Sequence, residues 1–441
     1  MADIEKQSPS QVNKSSLDSS SSQCPLHPSS HSAECCSTPL SDASSPHNQQ
    51  AWLTVAGSFL ALFCSFGQMI AFGTFQSWYS GNQLSSMSSF NISWIGSLQL
   101  CVFFFMGGPV GRIFDAWGPS PLLILGTLIS VLSLVFTSVA SQYYQYLLAQ
   151  GVLFGLSVAL LFYPSVSSVA THFTNYRATA IGIASAGSGL GGVVYPIMLR
   201  FLFRKIGFAW GVRASALLSA VSGALAASTI SARRAGKTRP FSLQDFQLIN
   251  DRRFLLLVVG SFFVCLGIFI PYFYISDYTE SLGISSDVAF YVLSIMNAGS
   301  ILGRIAPAWL SDKIGRFNLL CPTAFFSGFI CLLFWTFADN LAAVATFSTI
   351  YGFLSGAFVS VVTPCVAQIS DMEEMGTRIG ALYTFVSIPA LTGGPIAGAL
   401  LQSQKGSFVA AIAFAGSSMV LGSSFLLASK LSIDQRFFHR V

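Results

Sequence analysis

Residues 254–276 read FLLLVVGSFFVCLGIFIPYFYIS, 23 positions without one charged side chain. At helical rise this stretch crosses a hydrocarbon layer about 30 Å thick, which takes about 20 residues. It lacks the alternation of a barrel strand. Over such a length only a helix satisfies its own backbone polar groups in lipid. The same pattern recurs on both sides, near 52–75, 93–111, 120–140, 144–166, 178–202, 209–230, 288–309, 318–337, 341–364, 380–402 and 407–430. The expected fold class is an all-α membrane protein of twelve transmembrane helices in two six-helix bundles.

Composition agrees. Hydrophobic residues make up 53% of the 441 and charged residues only 9%, against about a quarter charged in a soluble domain. A surface so poor in charge faces lipid. The formal charge of +5 is spread over loops, which excludes a nucleic-acid partner. The nine cysteines follow no disulfide or metal-ligand spacing, so no metal and no cofactor is expected; buried Cys behaves as a small apolar side chain.

Residues 1–50 are rich in Ser, Pro, Gln and Asn and hold few large apolar side chains. They are expected to be a disordered cytosolic tail. The N-terminal bundle then covers 51–230, a cytosolic central loop 231–253, the C-terminal bundle 254–430, and a second cytosolic tail 431–441. Within the central loop, Ser242 and Asp245 have capping-box spacing, and Leu243, Phe246 and Ile249 recur at helical spacing. A short helix lying on the inner membrane surface is expected there. With both termini inside, most Lys and Arg fall on the inner side; Arg200, Arg204, Lys205, Arg213 and Lys405 are the exceptions. Asp277, Glu280 and Asp287 gather in an outer loop. The expected location is multi-pass in the plasma membrane, in contact with membrane lipids.

The two halves repeat at an offset of about 200 residues. Gly155 and Pro164 answer Gly356 and Pro364, Arg177 answers Arg378, Gly191-Gly192 answers Gly393-Gly394, and Asp115 answers Asp312. Parallel six-span repeats imply two bundles around a midplane site, rocking to give alternating access.

The loop text is more specific. Residues 108–118 (GPVGRIFDAWG) and 303–316 (GRIAPAWLSDKIGR) resemble the loop signature of the major facilitator superfamily and its echo in the second half. Phe162-Tyr163-Pro164, residues 177–192 (RATAIGIASAGSGLGG), residues 297–303 (NAGSILG) and residues 72–76 (FGTFQ) are similar to the monocarboxylate-porter family, in its fungal branch. The resemblance spans nearly all of 52–430. It implies the major facilitator fold and a carrier, and it assigns Arg304 to an anionic substrate. It also implies proton coupling, as a symporter. The chain departs from the proton-coupled members at two positions, with Ser300 for an Asp one turn before the Arg and Thr74 near a span-one Lys.

Physical chemistry bears on the same residues. Arg304 lies about 7–8 Å inside the eighth span, where a cation faces a cavity or a partner, and its planar fork suits a carboxylate; snorkelling, or bracing Asp312, is the alternative. Gln68, Gln99, Tyr163, Ser185, Tyr195, Tyr272, Asn297 and Thr384 are polar or aromatic positions within spans, each either a cavity contact or a helix–helix hydrogen bond. Asp115 and Asp312 are placed at the N-termini of the following spans, as caps. Lys313 and Arg316 pair with Asp312 or with lipid phosphate. These four form a gate at the inner face with Arg112, Arg177 and Arg378, or else a plain solvated loop. Residues 187–192 (GSGLGG) match a dinucleotide fingerprint but lie inside a span, where small residues serve close packing. His172 is expected to be solvated in an inner loop, and no carboxylate or His lies deep in a span.

The expected function is a secondary active or facilitative transporter of a small organic solute, a monocarboxylate by the resemblance, working as a monomer. An exporter of a metabolite is the first alternative, and a non-transporting nutrient sensor signalling through its tail the second. With no nucleophile–base pair, an enzyme is not expected.

Overall fold

The structure, a computed structural model, describes residues 46–173, 176–232, 251–370 and 375–434. Twelve helices account for the spans. In the first half they are α1 (Gln49–Gly81), α2 (Phe90–Phe105 and Gly107–Trp117, bent by 42°), α3 (Pro119–Val139), α4 (Tyr143–His172), α5 (Arg177–Ile206) and α6 (Phe208–Thr229). In the second half they are α7 (Arg252–Ser281), α8 (Val288–Ile314), α9 (Arg316–Trp335), α10 (Leu341–Gln368), α11 (Arg378–Ser403) and α12 (Val409–Ile433). Among the described residues there is no strand. Leu128, Phe201, Leu217, Leu302 and Phe337 stand exposed on the outside, the apolar coat of a protein whose solvent is lipid.

Each half packs as a six-helix bundle, and the two meet along α5 against α8 and α2 against α11. The sequence repeat is a repeat of contacts. A Cβ at Gly155 would sit 2.6 Å from the Gln99 carbonyl of α2, and one at Gly356 would sit 2.8 Å from the Ser300 carbonyl of α8. Gly191 and Gly393 likewise press α5 on α1 (Phe63 carbonyl) and α11 on α7 (Leu266 carbonyl). Gly192 and Gly394 face across the halves, toward Asn297 and Ser97. Small residues let these backbones meet, since van der Waals packing drives helix association in lipid.

Three spans are broken near mid-length. The helix of α7 stops at Ile268 and resumes at Ile270, in the turn before Pro271, which has no N–H for the Gly267 carbonyl. The bend of α2 at Met106 lies in the turn before Pro109. In α1 a π-turn at Phe63–Gly67 precedes a break at Ala71.

Several expectations change. The first helix begins at Pro46, inside the expected tail, and Gln50 Nε2 donates to Ser231 Oγ at 2.9 Å. Asp277 and Glu280 belong to the helix Ile270–Ser281 that ends α7, and Asp287 to the helix Ser286–Ile314 that leads into α8, so these acids lie on helices and not in a loop. His172 ends α4, half-buried, with Nε2 2.9 Å from the Ser231 carbonyl. The proposed surface helix at 242–249 lies outside the described residues.

Candidate binding cavity and gates

Between the halves lies a narrow cavity, walled by Phe66, Met69 and Ile70 of α1, Leu100 of α2 and residues 268–269 and 272–273 at the break of α7. Its polar lining is Arg304 of α8, Ser355 of α10 and the Tyr272 hydroxyl. Tyr272 and Ser355 join at 3.0 Å. Arg304 is 2% exposed. Its Nη1 donates to the Ser185 carbonyl at 2.9 Å and to the Ser188 hydroxyl, both on α5, while Nε has no partner. It makes no ion pair among the described residues. A buried cation without a counter-charge is costly.

The other sequence candidates divide. Gln68 turns away from the cavity and closes a hydrogen-bond pair with Ser215 (3.3 Å) and Ser219 (3.2 Å) of α6. Ser185 contributes its carbonyl, not its hydroxyl. Asn297 packs on Gly192 and donates to Leu293 of its own helix. Thr384 bonds back to Gly380 at 2.9 Å. Tyr163 lies in an aromatic layer, stacked on Phe103 and 5.4 Å from Tyr383 between ring centroids; Phe104 bridges Tyr383 to Phe269 of the cavity wall.

At the end of the bundles that carries Arg177, Lys313 and Arg316, the gate candidates take unexpected roles. Neither Asp caps its following span. Gly118 and Gly315 hold those N-cap positions, with φ of 79° and 102°, a conformation natural to Gly. Asp312 instead reaches across the halves: Thr179 of α5 donates its backbone N–H (3.0 Å) and hydroxyl (2.9 Å) to Oδ2. The N-cap residue of α5, Tyr176, offers no side-chain acceptor, so a carboxylate from α8 satisfies the first turn and meets the positive end of the helix dipole. Asp115 is exposed, with no such bond among the described residues. Arg316 stays in its own half, 3.8 Å from Asp312 and donating to the Pro364 carbonyl at 3.0 Å. Lys313 lies over the Trp309 ring. Arg378 pairs with Asp251 at 2.9 Å, tying α11 to the start of α7, and Arg177 donates to Phe173 at 3.1 Å. Arg112 is exposed on α2. At the opposite end Arg200 of α5 donates to the Ser286 carbonyl at 2.9 Å and lies over Phe290 of α8, 4.6 Å from the ring centroid.

The model of the Major Facilitator Superfamily matches residues 58–388 and 257–434. The chain belongs to the major facilitator superfamily. Within it, the chain is 37% identical over 385 residues to the MFS-type transporter 1 of Ophiocordyceps sp. (strain BCC 1869), covering 87% of this chain and 86% of the relative. It is 38% identical over 384 residues to an agnestins efflux protein of Paecilomyces divaricatus, covering 87% and 88%. It is 35% identical over 407 residues to a fujikurins efflux protein of Gibberella fujikuroi (strain CBS 195.34 / IMI 58289 / NRRL A-6831), covering 90% and 87%. A superfamily member of this kind is a multi-pass membrane transporter with a small-molecule substrate.

Sequence reading missed Ser355, Ser188, Thr179, Phe66 and Phe269. Thr179 carried a signal, being third in a helix whose start the repeated Arg marks. Phe66 and Phe269 carried none, since one Phe in an apolar run looks like the next.

Proposed function

We propose that this superfamily member is a secondary carrier that exports a small organic anion across the plasma membrane by alternating access. The carrying observation is Arg304, buried against the central cavity, without a carboxylate partner among the described residues and with Nε unpaired there. An oxyanion there supplies the missing charge and a planar, bidentate partner. Aromatic and aliphatic walls suit an apolar body behind the acidic head. The efflux names of two relatives favour outward movement, and the resemblance to monocarboxylate porters favours one acidic group. Both termini are cytosolic in this reading, which places the Asp312–Thr179 contact at the cytosolic mouth. There it holds the inner gate shut, and rocking must break it.

The test is accumulation of labelled organic acids and their neutral amides in inside-out vesicles holding the purified protein, beside Arg304→Ala. Acids should accumulate and the variant should lose about tenfold or more, given about 1.5–3 kcal/mol for a hydrogen bond to a charged group. Movement of the amides alone, or equal acid flux in the variant, would sink the proposal.

A further inference from the structure

Arg304 does not wait in the cavity with its donors idle. Nη1 is already held by α5, in the opposite half, through the Ser185 carbonyl and the Ser188 hydroxyl. Ser188 is 1% exposed, and its own proton is committed to the Ser185 carbonyl at 2.6 Å. A hydroxyl that donates to a carbonyl becomes a better acceptor, and Ser188 turns that acceptor on the guanidinium. Both acceptors are neutral, so the hold is weaker than the one a carboxylate offers.

We propose that Ser188 is a specificity-determining, positioning residue: it competes with the solute for the Arg304 guanidinium, so that only an oxyanion takes the cation away from α5. A neutral solute offers no more than Ser188 already provides and leaves the guanidinium where it is. Because Ser188 and Arg304 belong to different halves, the exchange of partners also cuts a tie between them when solute arrives. This inference rests on the anion reading of the cavity.

The probes are 2-naphthoate and 2-naphthamide, equal in body and different in charge, titrated into purified full-length protein by their fluorescence. In Ser188→Ala one of the two acceptors is gone, leaving the Ser185 carbonyl, and the volume barely changes, so naphthoate should bind about three- to tenfold more tightly while the amide stays within twofold. In Ser188→Asp an internal carboxylate takes the cation, and naphthoate binding should fall at least tenfold. Unchanged or weaker naphthoate binding in Ser188→Ala overturns the proposal, whatever the Asp variant does. The anion reading fails separately, if wild-type protein does not bind naphthoate or Arg304→Ala binds it equally well. Loss in Arg304→Ala with no response to either Ser188 change overturns the role of Ser188 alone.

Discussion

The two lines along which the halves meet are related by the repeat, yet they are built differently. Along α5 and α8 the contacts are polar and spaced from end to end: Thr179 on Asp312, Ser185 and Ser188 on Arg304, and Arg200 on Ser286 and Phe290. Along α2 and α11 they are close backbone approaches and a ring stack: Gly108 on Gly380, Phe104 stacked on Tyr383, and Ser97 facing Gly394. Polar contacts have a few discrete arrangements and can be exchanged for others, whereas close backbone packing mainly fixes distance. In the proposed rocking, the α5–α8 contacts would be the clasps and the α2–α11 line the bearing. The equivalence of Asp115 and Asp312 in sequence hides this, because among the described residues Asp312, and not Asp115, docks on a helix N-terminus.

The strongest challenge to that comparison is steric. Gly182→Val on one line would drive its Cβ into the Arg304 carbonyl, and Gly380→Val on the other would place its Cβ 2.7 Å from the Gly108 Cα. No side chain can move aside in either case. Each should destabilise the protein by about 1–3 kcal/mol, read as a lower thermal midpoint. If only one responds, the other line is looser than its packing implies.

Asp312→Asn against Asp115→Asn sharpens the contrast between clasp and bystander. Loss of the charge on Asp312 should weaken the α5 contact by about 1–2 kcal/mol, a factor of about 5–30 in the balance of open and closed mouths. Thiol labelling of a cysteine placed inside that mouth should accelerate to match. Asp115→Asn should stay within about twofold, and equal effects would restore the symmetry that the contacts deny. The smallest effect is expected from Arg200→Gln, which keeps a donor for Ser286 but loses the cation over Phe290. About 0.5–1 kcal/mol is at stake, to be measured by labelling a cysteine at the opposite mouth.

Span number, the six-and-six division and the superfamily were legible in the chain alone. Hydrocarbon thickness dictates how long an apolar run must be, and an internal repeat survives in text because both copies solve the same packing problem. Gly155 with Gly356 and Gly191 with Gly393 show this directly, each pair touching equivalent neighbours. Arg304 was legible for a similar reason, since a cation inside a span is too costly to be there by default. The site around it was not. Gln68 looked like a cavity residue until Ser215 and Ser219 of α6 were seen to use both ends of its amide. Asp312 looked like a local cap until its donor, Thr179, was found on α5, more than a hundred residues away. Helical periodicity fixes which residues share a face, but which neighbour that face meets depends on how twelve helices pack. Only the tertiary structure decided that Arg304 is held from the other half, and by neutral groups.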